Sequence, residues 1–108
     1  MKELTLITIL LVEDSEPFRK YVSSMLRKHE GLRVIAEVAD GLEAVKKATE
    51  LKPDLILLDL ALPTLSGIEA ARQVRHLPPR LEGTVLNRRI LFRSGTSSVG
   101  NWGARLHP

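Results

Sequence analysis

Residues 54–67 read DLILLDLALPTLSG. Four apolar residues at 55–58 run directly into Asp59, with Pro63 and Gly67 following at four-residue steps. A short apolar run bounded by turn residues predicts a strand buried on both faces, as in a parallel sheet. A carboxylate at the end of such a strand is costly to bury unless something nearby neutralises it. The fold reading therefore turns on what else the chain brings to Asp59.

Upstream, residues 7–12 (ITILLV) form a second such run and end at Glu13 and Asp14. Ser15 and Pro17 are suited to the cap and first turn of a helix. Phe18, Tyr21, Val22, Met25 and Leu26 then recur at helical spacing, and Gly31 stops the pattern. LRVIAEVAD (residues 32–40) predicts another strand, ended by Asp40 and Gly41. Ala44, Val45, Ala48 and Leu51 form a second helical stripe, closed by Pro53 and Asp54. Gly67 opens a third helix carrying Ala70, Ala71, Val74 and Leu77, which Pro78 and Pro79 stop. Strand alternating with helix three times over predicts an α/β, doubly wound parallel sheet with right-handed crossovers. Beyond Pro79 the rhythm weakens. Residues 80–89 (RLEGTVLNRR) have no clear period, residues 90–92 (ILF) predict a fourth strand, and no fifth strand is visible.

Composition narrows the functional classes. At 108 residues with 44% apolar and 27% charged, the chain fits one globular domain. It has no cysteine, which excludes disulfides and thiolate metal sites. Residues 4–12 are too short an apolar run to span a bilayer and lack a cleavage signature. The net charge of +3 is concentrated late: residues 78–108 carry five arginines against the single acid Glu82. That basic segment has neither aromatic interleaving beyond Phe92 and Trp102 nor a helix-turn-helix or zinc pattern, which argues against specific nucleic-acid binding.

Ligands of open parallel sheets sit beyond the carboxyl ends of the strands. Glu13, Asp14 and Asp59 all lie at such ends. Adjacent strands would bring three carboxylates together, which calls for a cation. Hard oxygen donors without histidine or cysteine point to Mg2+. The competing reading is that isolated acids merely cap strands, and it loses force when two odd-numbered strands both end this way.

The pieces ILLVEDSEPFR, VADGLEAV and DLILLDLALPTLSGIEAARQVR resemble the receiver domain of two-component response regulators, over roughly residues 5–77. The wording LPTLSGIEAARQVR looks most like regulators with a DNA-binding helix-turn-helix output domain. The resemblance implies a flavodoxin-like receiver fold and a cytoplasmic phosphoacceptor that is not an enzyme toward outside substrates. Asp59 would take a phosphoryl group from a histidine kinase. Asp14, Asp59 and the backbone carbonyl of Ala61 would bind Mg2+, with Glu13 acting through a water. Pro63 would shape the loop. Ser94, after ILFR, would supply a hydroxyl to the phosphoryl group.

Other features depart from the family. The last lysine is Lys52, so its basic position is unfilled, with Arg105 the conceivable substitute. The last strand, last helix and output domain are also expected to be missing, leaving residues 1–95 receiver-like and 96–108 a non-family tail. DNA contact would need the absent output domain. Exposed apolar surface and an open sheet edge would favour self-association or strand exchange. A binding-only pseudo-receiver is the alternative. An aspartate-nucleophile phosphatase would want an acid two residues after the nucleophile, where Ala61 stands. A cobalamin domain would want a histidine near the site, whereas His29, His76 and His107 lie elsewhere and suit solvated surface.

Overall fold

A computed structural model describes residues 6–62, 66–77, 81–86 and 88–94. In chain order the elements are β1 (Ile7–Val12), α1 (Glu16–Arg27), β2 (Leu32–Val38), α2 (Gly41–Leu51), β3 (Leu55–Asp59), α3 (Gly67–Arg75), β4 (Leu81–Leu86) and β5 (Arg89–Ser94). Each helix starts where a short polar side chain can cap it. Ser15 accepts from the Phe18 N–H, Asp40 from Glu43 and Ser66 from Glu69. Lys52 closes α2 in the left-handed conformation, at φ 46°.

The sheet order is β2-β1-β3-β5-β4. β1 pairs in parallel with both β2 and β3, as the strand-helix alternation predicts. One face carries α2 and α3 over Leu10, Val12, Ile56, Leu58, Ile90 and Phe92, all buried. The other carries α1 over Ile9, Leu32, Leu55 and Leu91. Alternate residues of β1, β3 and β5 thus feed opposite layers, which is why the middle of each of these strands is apolar.

β2 departs from simple alternation. Its register shifts between Ile9 and Leu10, where the partners jump from Val34 to Ala36. One extra residue reverses which side chains face which layer. Val38 consequently joins the α2–α3 layer, and Glu37 turns toward α1. There Ser23 donates to Glu37 at 2.8 Å and Arg27 at 3.1 Å.

The region after α3 differs from expectation in two ways. Residues 81–86, which show no clear period, form β4, so the described residues contain five strands. The predicted strand at residues 90–92 exists as part of β5 but runs antiparallel to β3. β4 pairs antiparallel with β5, with Leu86 opposite Arg89. Only two residues separate these strands, too few for a parallel crossover. β4 therefore keeps the direction expected after α3, and β5 folds back into the slot between β3 and β4. The expected tail at residues 96–108, with Arg105 and His107, lies outside the described residues, as does Pro63.

Candidate functional site

The parallel register between β1 and β3 sets Val12 opposite Leu58. The next residue on each strand is then an acid, Glu13 beside Asp59, with Asp14 one step further. Glu13 is held by its own backbone, its N–H donating to the Val38 carbonyl at 3.0 Å. At the other end of the same strand pair, Asp54 accepts from the Thr8 N–H at 2.9 Å and from its hydroxyl at 3.1 Å. These contacts fix the relative height of β1 and β3.

Glu13 and Asp59 are buried, and Asp14 is exposed. One carboxylate oxygen from each lies within 4.8 Å of the others. The structure thus brings together the three acids singled out in the sequence. Ala61 stands in the turn just beyond, where its N–H donates to Asp59 Oδ1 at 3.0 Å. Gly67 lies against the same turn. A Cβ there would run into the Leu60 backbone, so only glycine allows α3 to start this close. The donors are all hard oxygens at the ends of β1 and β3, which suits magnesium and not a metal that prefers nitrogen or sulfur.

Ser94 is a correction. Because β5 is antiparallel, Arg89 pairs with Asp59 and Arg93 with Leu55. Ser94 therefore sits at the opposite end of the sheet, five residues or about 17 Å along the strand from Arg89. The same reversal brings in two residues that the sequence reading missed. Arg89 donates from Nε and Nη2 to Glu13 Oε1, at 3.1 and 2.7 Å. Its guanidinium also lies over the Phe18 ring, 4.3 Å from the centroid. Arg88 places Nη2 3.5 Å from Asp59 Oδ2, and its carbonyl accepts from the Leu60 N–H at 3.0 Å. The basic half of the site comes from the β4–β5 connection and the start of β5. Nothing in the local sequence signals this, because it follows from strand direction.

Crowding separates the two buried acids. Burial pushes the Glu13 carboxyl up, Arg89 pulls it back, and neighbouring Asp59 pushes it up again, leaving it above its ordinary value. Burial also pushes Asp59 up. The Ala61 N–H, the neighbouring Glu13 carboxyl and the Arg88 guanidinium outweigh burial and hold Asp59 below its ordinary value. Asp59 is thus the acid kept as a carboxylate, which is the form a nucleophile requires.

The response regulator receiver domain family matches residues 9–89. The chain belongs to this family. As a receiver it is 40% identical over 100 residues to the response regulator protein VraR of Staphylococcus epidermidis, covering 89% of this chain and 48% of that protein. It is 40% identical over 73 residues to a protein-glutamate methylesterase/protein-glutamine glutaminase of Alkalilimnicola ehrlichii, covering 68% of this chain and 19% of that protein. The receiver therefore spans about half the length of one relative and a fifth of the other. Among solved structures, the response regulator domain of Thermotoga maritima CheB superimposes with a TM-score of 0.66 at 39% identity, over 69% of this chain and 56% of that one. The receiver domain of a Pseudomonas aeruginosa sensor histidine kinase superimposes with a TM-score of 0.62 at 40% identity, over 68% of this chain and 59% of that one. That structure has a magnesium ion coordinated in its active-site cleft. Among the described residues of this receiver, no helix is long and apolar enough to cross a membrane.

Proposed function

We propose that this receiver is the phosphoacceptor of a two-component phosphorelay, with Asp59 taking a phosphoryl group from a histidine kinase in the cytoplasm. The observation that carries this is Asp59 itself: buried, held as a carboxylate, and gathered with Glu13 and Asp14 around one point. One Asp59 oxygen attacks phosphorus and forms a C–O–P anhydride. The P–N bond of the phosphohistidine breaks, and its electron pair leaves with the imidazole nitrogen. The receiver acts chemically only on its own side chain, so it is not an enzyme toward an outside substrate.

Asp14 and Asp59 would hold magnesium with the Ala61 carbonyl, and Glu13 would reach it through a water. When bound, the ion supplies charge neutralisation between the carboxylates and the incoming anion. The protein's own residues do the positioning. The Ala61 N–H holds Oδ1 of Asp59, and Oδ2 faces the Arg88 guanidinium. The resemblance of LPTLSGIEAARQVR to regulators with a helix-turn-helix output domain supports an output domain acting on transcription, and DNA contact would belong to that domain.

The test is incubation of the whole chain with acetyl phosphate and Mg2+, followed by intact-mass and peptide mapping. One phosphoryl group on Asp59, absent in Asp59→Asn, is expected. A second reading, a binding-only pseudo-receiver, is favoured by Arg88 and Arg89, which already neutralise Asp59 and Glu13. Calorimetric Mg2+ binding with no phosphoryl uptake would establish that reading and overturn the first.

A further inference from the structure

A phosphoryl group on Asp59 would add an anion to a site that already contains two other carboxylates. The acids cannot accommodate it alone, so a cation must meet the phosphoryl oxygens. Beside any metal held by the acids, two side-chain cations stand in reach among the described residues, and their settings differ. Arg89 is fastened: both of its contacts go to one Glu13 oxygen, its plane lies over Phe18, and its side chain is 23% exposed. Arg88 is tied by its backbone, through the carbonyl that accepts from Leu60. Its side chain is 59% exposed and meets Asp59 through a single long contact of 3.5 Å. A guanidinium held so loosely can shift to the outer oxygens of a group attached to Asp59 without leaving a buried charge behind. Arg89 cannot do so without stranding Glu13.

We infer that Arg88 is the phosphoryl-binding cation of this site, and that Arg89 positions Glu13. This assignment rests on the phosphoacceptor reading above. It gives the β4–β5 hairpin a direct hold on the phosphoryl group, because Arg88 lies in the connection between those strands. A planar guanidinium offers two parallel N–H donors to a phosphoryl group, so its contribution is geometric as well as electrostatic. With acetyl phosphate as donor, one Asp59 oxygen bonds to phosphorus, the P–O bond to acetate breaks, and acetate leaves with the electron pair. Arg88 donates hydrogen bonds to the transferred oxygens throughout and loses no proton.

The test compares wild type, Asp59→Asn, Arg88→Ala and Arg88→Lys as whole chains, with acetyl phosphate and Mg2+. The readouts are the initial rate of acylphosphate formation and the separate Mg2+ affinity by calorimetry. Arg88→Ala is expected to slow phosphorylation about ten-fold, the scale of one charge-assisted hydrogen bond. Its Mg2+ affinity should be undiminished, since a cation has been removed from beside the acids. Arg88→Lys should recover part of the rate, because it restores the charge without the fork. Since the Arg88 side chain is largely exposed, the Ala variant should unfold at nearly the wild-type temperature. An Arg88→Ala rate equal to wild type, with Asp59→Asn inert, would overturn the assignment and leave Asp59 as acceptor. No uptake by wild type would overturn the phosphoacceptor reading, and the role of Arg88 with it.

Discussion

Two charged clusters show how single residues carry opposite duties in this receiver. In the first, Arg89 and Glu13 form an ion pair at 2.7 Å with the acid nearly enclosed. Removing one partner leaves a buried carboxylate without its donor. Arg89→Ala should therefore lower stability by about 1.5–3 kcal/mol in metal-free buffer, the usual worth of a charged hydrogen bond. Added Mg2+ should restore more stability to this variant than to wild type, because the ion replaces the missing charge. Urea titrations with and without Mg2+ measure both effects, and an equal response of the two proteins to Mg2+ would contradict the pairing. The second cluster is structural. Burial would raise Glu37, but Ser23, Arg27 and Arg19 together hold it below its ordinary value. A depressed folded-state pKa contributes stability that is present above the unfolded value of 4.5 and disappears as pH falls through the lower folded value. The stability gap between wild type and Glu37→Gln should thus be flat near neutrality and close below about pH 4.5. Glu13, Asp14 and Asp59 were legible in the sequence because each ends an apolar run. Arg88 and Arg89 were not, since arginines beside a strand of unknown direction look like ordinary surface charge. Ser94 misled for the same reason: a hydroxyl after an apolar run reads correctly only if the strand is parallel.

Among the elements, the helices were the most legible. Ser15, Asp40 and Ser66 each satisfy an N–H that the first helical turn leaves open. Ser15 reads as a cap from its local spacing, whereas Asp40 reads as a strand stop and Ser66 emerges as a cap in the structure. Gly67 connects an element to the site. Its missing Cβ lets α3 begin against Leu60, the residue after Asp59. Gly67→Ala must push that backbone aside. The expected cost is about 1–3 kcal/mol of stability, as for other overpacked positions. Phosphorylation should also slow, because the Ala61 N–H that holds Asp59 sits in the same turn. A variant of wild-type stability and rate would show that the turn yields freely. β4 was the element the sequence reading missed. Gly83 interrupts it, and Glu82 and Val85 are both exposed, so neither alternation nor a continuous apolar run marks it.

At the scale of the molecule, the two faces of the sheet are unequally covered. Two helices pack on one face and, among the described residues, α1 alone on the other. Phe18, Tyr21 and Met25 of α1 remain exposed despite their helical periodicity. Among the described residues β4 is an edge strand, and Val85 on it is 61% exposed. An open edge with an apolar side chain favours pairing with another chain. Sedimentation velocity should show mass rising with concentration, and Val85→Lys should shift the balance toward monomer, as charged edges do. A single monomeric boundary at every concentration would contradict this expectation.

By itself, the sequence determined the three β-α units, the Ser15 cap that begins the first helix and the carboxylates that follow β1 and end β3. These are matters of local spacing and of burial along one element, and short-range physics settles them. The tertiary structure alone decided that β5 turns back beside β3. That reversal depends on which strand fills the slot next to β3, a contact between residues some thirty positions apart. It moved Ser94 away from the acids and brought Arg88 and Arg89 to them. The acidic half of the site was thus written in consecutive residues, and its basic half was assembled by strand pairing.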